Sequence, residues 1–485
     1  MKRFVLRCTT LLCLAFFLTL TACALTACAP KEDPATDPPV QSPPAESTHT
    51  TLPFSVGRLY DIVWRSYSPG VNDGKAFYEV EMTDVDTTDR RILRIDYETR
   101  AQTPLCSLPG CMHESADCPA FLGGTDQDRF FLTVVEGQLY VLRVFWSGVA
   151  GEYSAALGQT SVWLEKVAMD GSGRQRLAEL PASWVLDNGG MTVFPVTDGA
   201  ALYGQYFDTS DGSTHGVRVA LQTGEVTSFS FGLDDVEALV GAWDGQFILR
   251  RSNQMFLSAS YPGVLTQEIG HLFESEFGGS SYGNNLVLYD PTAGTRTDLN
   301  AVYAQTGTSV IPYSLIIQQG KIYETRNDDL SGYPLLPQIV WQIDPATGAA
   351  RILTEFALPT AGASRRTLYA HPIFPAGPDS EEPYLWGDYW QKQTEGFLLD
   401  VRDGSVLEIG LRYRDGSLDT FPVAQTDNGL WLVPVDSVYL QGQTRSVSRT
   451  VYALAAPETV ISGEGEVYPI QMWDLPEETP AFRKT

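Results

Sequence analysis

The chain has 485 residues, of which 43% are hydrophobic and 19% charged, so most of it can bury a core and bulk disorder is excluded. Asp and Glu outnumber Lys and Arg by 59 to 33, a formal net charge of -26, which argues against nucleic acid as a partner because phosphate binding needs a basic face. Frequent Gly and Pro with many Tyr and Phe suit short strands and tight turns.

Residues 1–22 read as an export signal. Lys2, Arg3 and Arg7 form a basic start, and the apolar run Leu11 to Leu20 is shorter than the roughly 20 residues a membrane-spanning helix needs. Leu20-Thr21-Ala22-Cys23 and Leu25-Thr26-Ala27-Cys28 both resemble the bacterial lipobox, which implies that a Cys becomes the N-terminus and carries lipid. Cys23 directly follows the apolar run and is favoured; Cys28, next to the polar tether, is the alternative. Acyl chains add about 0.8 kcal/mol per buried CH₂, so two or three chains hold a protein on a bilayer. The expected location is the extracytoplasmic face of the bacterial cell membrane, with the lipid anchor as the membrane contact.

Residues 23–53 form the tether. Pro30, Pro34, Pro38, Pro39, Pro43, Pro44 and Pro53 alternate with Thr, Ser, Asp and Glu. Such a stretch cannot bury enough surface to fold, and at about 3.1 Å per residue it would hold the folded part off the bilayer.

Residues 54–473 are expected to be all-β. No run shows convincing helical periodicity. A first unit, strand–turn–strand with Gly in the turn, occurs at Asp73-Gly74, Glu136-Gly137, Asp198-Gly199, Asp244-Gly245, Gln319-Gly320 and Asn428-Gly429. A second unit follows with an Asp-Pro-x-x-Gly type turn, cleanest at Asp290-Pro291-Thr292-Ala293-Gly294 and Asp344-Pro345-Ala346-Thr347-Gly348. Two such hairpins make one four-stranded propeller blade. Six steps from Gly74 to Gly429 average about 59 residues, which predicts a seven-bladed β-propeller, with six or eight blades as alternatives and two packed β-sandwiches as the competing fold. The sixth blade has the weakest signal, because no Gly turn precedes Tyr384-Leu385-Trp386. The stretch Leu52 to Trp64 is read as a strand that closes the ring with the last blade. Residues 474–485 are a tail.

Three cysteines and a histidine cluster as Cys106-x4-Cys111-x-His113-x4-Cys118, in the connection between the first and second blades. Four soft or borderline ligands so close together suit a closed, structural zinc site of the Cys₃His type. A disulfide between two of the three, or reduced structural thiols, are the alternatives in an exported protein. The stretch Leu105-Cys106-Ser107-Leu108-Pro109-Gly110-Cys111-Met112-His113, then Cys118-Pro119-Ala120, resembles a segment of lipid-anchored, TolB-like β-propeller lipoproteins of Gram-positive anaerobes. The resemblance implies location and fold and supplies no catalytic residue.

Enzyme motifs fare poorly. Gly279-Ser280-Ser281-Tyr282-Gly283 has the nucleophile-elbow spacing, but it lacks the buried strand before and the helix after. His113-Glu114 lacks the second His of a helical zinc-protease motif. Tyr384, Trp386, Tyr389 and Trp390 form a candidate ligand-binding cluster, since aromatic faces stack on sugars; core packing within the sixth blade is the competing reading. The expected role is therefore non-enzymatic binding of a glycan, peptide or protein at the cell surface. The alternatives are a surface polysaccharide hydrolase or lyase using channel carboxylates, and an envelope-assembly scaffold.

Overall fold

A computed structural model describes residues 52–62, 70–82, 87–124, 128–145, 161–180, 184–185, 194–208, 213–232, 236–251, 285–299, 312–318, 320–326, 338–356, 371–373, 382–389, 392–412, 421–441 and 446–475. Cys23, Cys28, the tether up to Thr51, Gly279 to Gly283 and Trp390 lie outside them.

The described chain forms seven antiparallel sheets, each built on four successive strands, as the blades of a β-propeller. Blade 1 is Gly70–Asn72, Ala76–Met82, Arg90–Asp96 and Ala101–Pro104. Blade 2 is Asp128–Val135, Gln138–Phe145, Ser161–Ala168 and Gln175–Leu180. Blade 3 runs from Val196–Thr197 through Ala201–Asp208 and Ser213–Ala220 to Val226–Phe229. Blades 4 and 5 begin at Val236–Trp243 and Pro312–Gln318. Blades 6 and 7 begin at His371–Pro372 and Ala424–Gln425. The sequence signals fall where expected: Gly74, Gly137, Gly199, Gly245, Gly320 and Gly429 all take positive φ in the first turn of their blades. In blade 6 the first two strands are joined by residues 373–383, most of which lie outside the described residues. The one helix among the described residues is short, Pro457–Ser462, with Pro at its start and Gly463 in the left-handed region at its end.

The turns hold themselves. Asp198 Oδ1 accepts from the backbone N–H groups of Ala200 and Ala201, while Oδ2 accepts from Tyr203 Oη at 2.8 Å. Asp73 repeats the device with Lys75, Ala76 and Tyr78. In the second type of turn, Asp290 and Asp344 accept from the backbone two residues on, and Gly294 and Gly348 donate back to the Asp carbonyl at 2.8 Å.

The core is a succession of layers between neighbouring blades. Leu139 and Val141 of blade 2 pack with Tyr78 and Ile92 of blade 1, and Leu142 and Leu164 pack with Leu202 and Val217 of blade 3. Similar layers join blades 3 and 4, 4 and 5, and 5 and 6. The last layer joins Trp386 of blade 6, Trp431 and Leu454 of blade 7, and Phe77 and Ile95 of blade 1, which closes the ring. Fully burying a Leu or Phe here contributes about 1.5–3 kcal/mol. Backbone contact between blades is tight as well: a Cβ on Gly224 of blade 3 would lie 1.9 Å from the Leu177 carbonyl oxygen of blade 2.

Closure differs from the sequence expectation. The N-terminal stretch does not join the last blade. Tyr60–Asp61 pairs with Val196–Thr197, the first strand of blade 3. Leu52 and Leu59 are buried between blades 3 and 4, and Gly57 N–H donates to Asp198 Oδ2 at 2.9 Å. The ring is instead shut from the C-terminal side. Gln471 N–H donates to the Arg100 carbonyl and Gln102 N–H to the Gln471 carbonyl, both at 2.8 Å. Beneath this clasp lies a buried polar network. Glu79 accepts from Gln102 Nε2 at 2.6 Å and from Tyr452 Oη at 2.9 Å. Arg449, 1% exposed, donates to Gln102 Oε1 and to the Trp473 carbonyl, both at 2.9 Å.

Candidate metal centre

The cysteine loop does not simply link two blades. Both Ala101–Pro104 and Phe121–Gly123 pair with Arg90–Asp96, so residues 105–120 are an insertion within the outer edge of blade 1. Its two ends zip onto one residue: Leu105 N–H donates to the Ile92 carbonyl and Ile92 N–H to the Ala120 carbonyl, both at 2.9 Å. Within the loop, Cys111 N–H donates to the Leu108 carbonyl and Cys118 N–H to the Ser115 carbonyl. His113 takes a positive φ of 61°, an uncommon conformation for a non-glycine residue.

These turns converge the four candidate ligands. One donor atom each from Cys106, Cys111, His113 and Cys118 lies within 4.8 Å of every other. His113 Nδ1 is 3.3 Å from Cys118 Sγ. All three cysteines are free thiols, with Cys118 buried and the others half-buried. Burial pushes the Cys118 thiol up to about 12. The backbone N–H of His113 holds Cys111 below its ordinary value. Burial, then the Arg91 charge, lowers His113 and so favours the neutral imidazole that a metal requires. Three sulfurs and one imidazole nitrogen match a soft or borderline ion with four-fold tetrahedral preference and do not suit the oxygen-seeking cations. With every position filled by protein, such a site holds chain segments together and leaves no place to activate water.

The loop is braced on two sides. Towards blade 2, Arg174 donates to the Pro119 carbonyl at 3.3 Å, to the Phe121 carbonyl, and to Glu165 Oε2 at 2.9 Å. A Cβ on Gly171 would stand 2.3 Å from the Leu105 oxygen, so only glycine fits there. Towards the C-terminal clasp, Arg91 Nε donates to the His113 carbonyl at 2.7 Å, and its guanidinium lies over the rings of Phe121 and Trp473. The His113 and Trp473 rings meet edge to face at 6.3 Å.

The aromatic candidates of blade 6 pack inward where they are described. Trp386 stacks on Phe421 at 4.1 Å, and Tyr384 meets Trp431 edge to face at 5.6 Å. Tyr389 ends the strand that contains them, and no exposed aromatic strip forms from Tyr384 and Trp386. Sequence reading missed a set of acidic groups with raised affinity for protons. Burial pushes Glu382 up to about 7, and it accepts from Trp431 Nε1 at 2.8 Å and Gln425 Nε2 at 3.0 Å. Asp61 is pushed up to about 8 by burial and accepts from Ala242 N–H at 2.5 Å. Glu79 rises to about 7 by burial within its network. Nothing in the local sequence around these acids marks them, since their partners are distant along the chain: Glu79 bonds Tyr452, Glu382 bonds Trp431 and Asp61 bonds Ala242.

No family model matches the chain, and no curated protein matches it in sequence. Solved structures do resemble it in chain course. An oligogalacturonate lyase in complex with manganese is 12% identical, with a TM-score of 0.40, covering 84% of this chain and 100% of its own. TolB from Acinetobacter baumannii is 12% identical, with a TM-score of 0.31, over 81% of this chain and 80% of its own. The β-propeller domain of the Trilobed protease from Pyrococcus furiosus is 8% identical, with a TM-score of 0.33, over 72% of this chain and 99% of its own.

Proposed function

We propose that this chain is an exported, lipid-anchored β-propeller that binds a glycan, peptide or protein ligand at the cell surface without catalysis, and that its Cys₃His cluster holds one structural zinc ion. The observation that supports binding over hydrolysis is the use made of three buried acids. Glu79 is spent on Gln102 and Tyr452, Glu382 on Trp431 and Gln425, and Asp61 on the Ala242 backbone. Glu79 joins blade 1 to blade 7 through Tyr452, Glu382 bonds Trp431 and Gln425 of blade 7, and Asp61 fixes the N-terminal strand to blade 4, which is structural work. A glycosidase needs two carboxylates free to face a substrate.

The ligand face follows from topology. The Asp-Gly turns all lie at one end of the sheets, and Gly57 lies there too, against Asp198. The strand ends joined by residues 146–160, 252–284 and 327–337 lie at the other end. On this reading the end with the longer connections is the ligand face. Propellers bind through loops carried on a rigid scaffold.

The test is a screen of the purified chain, with Cys23 and Cys28 changed to Ser, against immobilised glycans and peptides, with product analysis of every glycan bound. Saturable binding with the glycan recovered intact is expected. Cleavage of a bound polysaccharide would establish the hydrolase or lyase reading instead. Metabolic lipid labelling of the unmodified chain should disappear when both Cys23 and Cys28 become Ser; label that persists would contradict the anchor.

A further inference from the structure

The metal cluster and the ring-closing clasp share a wall. Trp473 meets His113 on one side. On the other, its backbone carbonyl accepts from Arg449 Nη1 at 2.9 Å and its N–H donates to Gln102 Oε1 at 3.3 Å. Arg91 ties the two together, donating to the His113 carbonyl while its guanidinium lies over Trp473 at 5.9 Å. Gln471, two residues before Trp473, makes the backbone bridge from the C-terminal segment to the outer strand of blade 1.

Taking the metal reading above as its premise, we infer that the ion bound by Cys106, Cys111, His113 and Cys118 locks the joint between blades 7 and 1, with Trp473 and Arg91 as the positioning residues that transmit it. Metal ligation fixes the His113 ring, and the fixed ring holds Trp473 against Arg91. Trp473 in turn sets the register in which Gln471 and Gln102 bond across the joint. The layers between blades 3 and 4, 4 and 5, and 5 and 6 are apolar and contain none of the four ligands, whereas the layer between blades 1 and 2 takes in Cys118. Metal loss therefore loosens the ring around blade 1, the clasp to blade 7 included, and leaves the joints of blades 3 to 6. Linkage makes the relation reciprocal at equilibrium: a chain whose clasp is already open binds the metal more weakly, by the factor through which the metal tightens the clasp.

Hydrogen exchange of the full chain, zinc-loaded and then stripped by chelator under reducing conditions, tests this directly. The amides of Gln102 and Gln471 should exchange about tenfold faster in the stripped chain, while those of Gln246–Arg251 and Gln338–Ile343 in blades 4 and 5 stay unchanged. A chain that loses one zinc with no change at Gln102 and Gln471 would overturn the lock and leave the metal site standing. A chain that never takes up zinc would overturn the metal reading itself. In the reciprocal arm, Trp473→Ala should bind zinc about tenfold more weakly than the native chain in competition with a chelator, and Trp473→Phe, which keeps a ring against His113, should bind it with close to the native affinity. Equal affinity of the native chain and Trp473→Ala would contradict the inference.

Discussion

The Arg449 guanidinium donates to Gln102 Oε1 at 2.9 Å, joining residues 347 positions apart. This bond sits at the joint where the first and last blades meet, inside a network with Glu79, Tyr452 and Trp473. A propeller whose blades are each made from one continuous stretch has no shared strand to fasten that joint. Here a buried cation and a C-terminal clasp do so.

Arg449→Ala should therefore cost about 3 kcal/mol or more, because it leaves Glu79 and Gln102 buried without their cationic partner. Chemical denaturation would measure the loss. An Arg449→Ala chain within about 0.5 kcal/mol of native would contradict the closure scheme.

Two glycines separate backbone strain from blade packing. Gly224 and Gly348 share nearly the same positive φ, 74° and 66°. Only Gly224 faces a neighbour, the Leu177 carbonyl; nothing lies within 4 Å of a Cβ on Gly348. Gly348→Ala should cost about 1 kcal/mol from the left-handed backbone alone, and Gly224→Ala at least about 2 kcal/mol. Equal denaturation midpoints for the two variants would show that the blade 2–blade 3 contact is not a constraint.

Stability should fall as pH rises between about 5.5 and 8.5. Burial raises Glu79 and Glu382 from 4.5 to about 7, and Asp61 to about 8, so the folded chain retains protons that the unfolded chain has released. Their contribution is complete below their ordinary values and is lost as pH climbs through the raised ones. Asp96 and Asp344 are held below the ordinary value of 3.8 and act only under more acid conditions. Denaturation of metal-stripped chain at the two pH values measures the slope, and Glu382→Gln should reduce it. A midpoint that rises with pH would have the wrong sign for this account.

In metal-free protein the thiols should alkylate in a fixed order. Cys111 is half-buried with its thiolate favoured by the His113 N–H, whereas burial drives Cys118 to about 12. Mass spectrometry after brief alkylation should find Cys111 modified before Cys118, and zinc should protect both. Simultaneous modification would argue against the geometry of the loop.

Much of this molecule could be read from local sequence. A tight hairpin needs its own Asp and Gly, so the turns at Asp73, Asp198, Asp290 and Asp344 announce the blades directly. Cys106, Cys111, His113 and Cys118 are also near neighbours in sequence, so their cluster was legible there. Contacts made at long range were not legible. Tyr60 pairs with Thr197, Asp61 bonds Ala242, and Arg449 reaches Gln102, and none of these partners leaves a mark in the residues beside it. The same holds for Trp473, an ordinary aromatic in the sequence that lies against both His113 and the closing joint.

The most direct test of the central claim, a metal fastening saturated by protein ligands, is zinc-edge X-ray absorption and thiol mapping on the chain purified without reductant or chelator. The account predicts one zinc per chain with three sulfurs at about 2.3 Å, one nitrogen at about 2.0 Å and no water ligand. Metal-free protein with two of Cys106, Cys111 and Cys118 joined in a disulfide would contradict it.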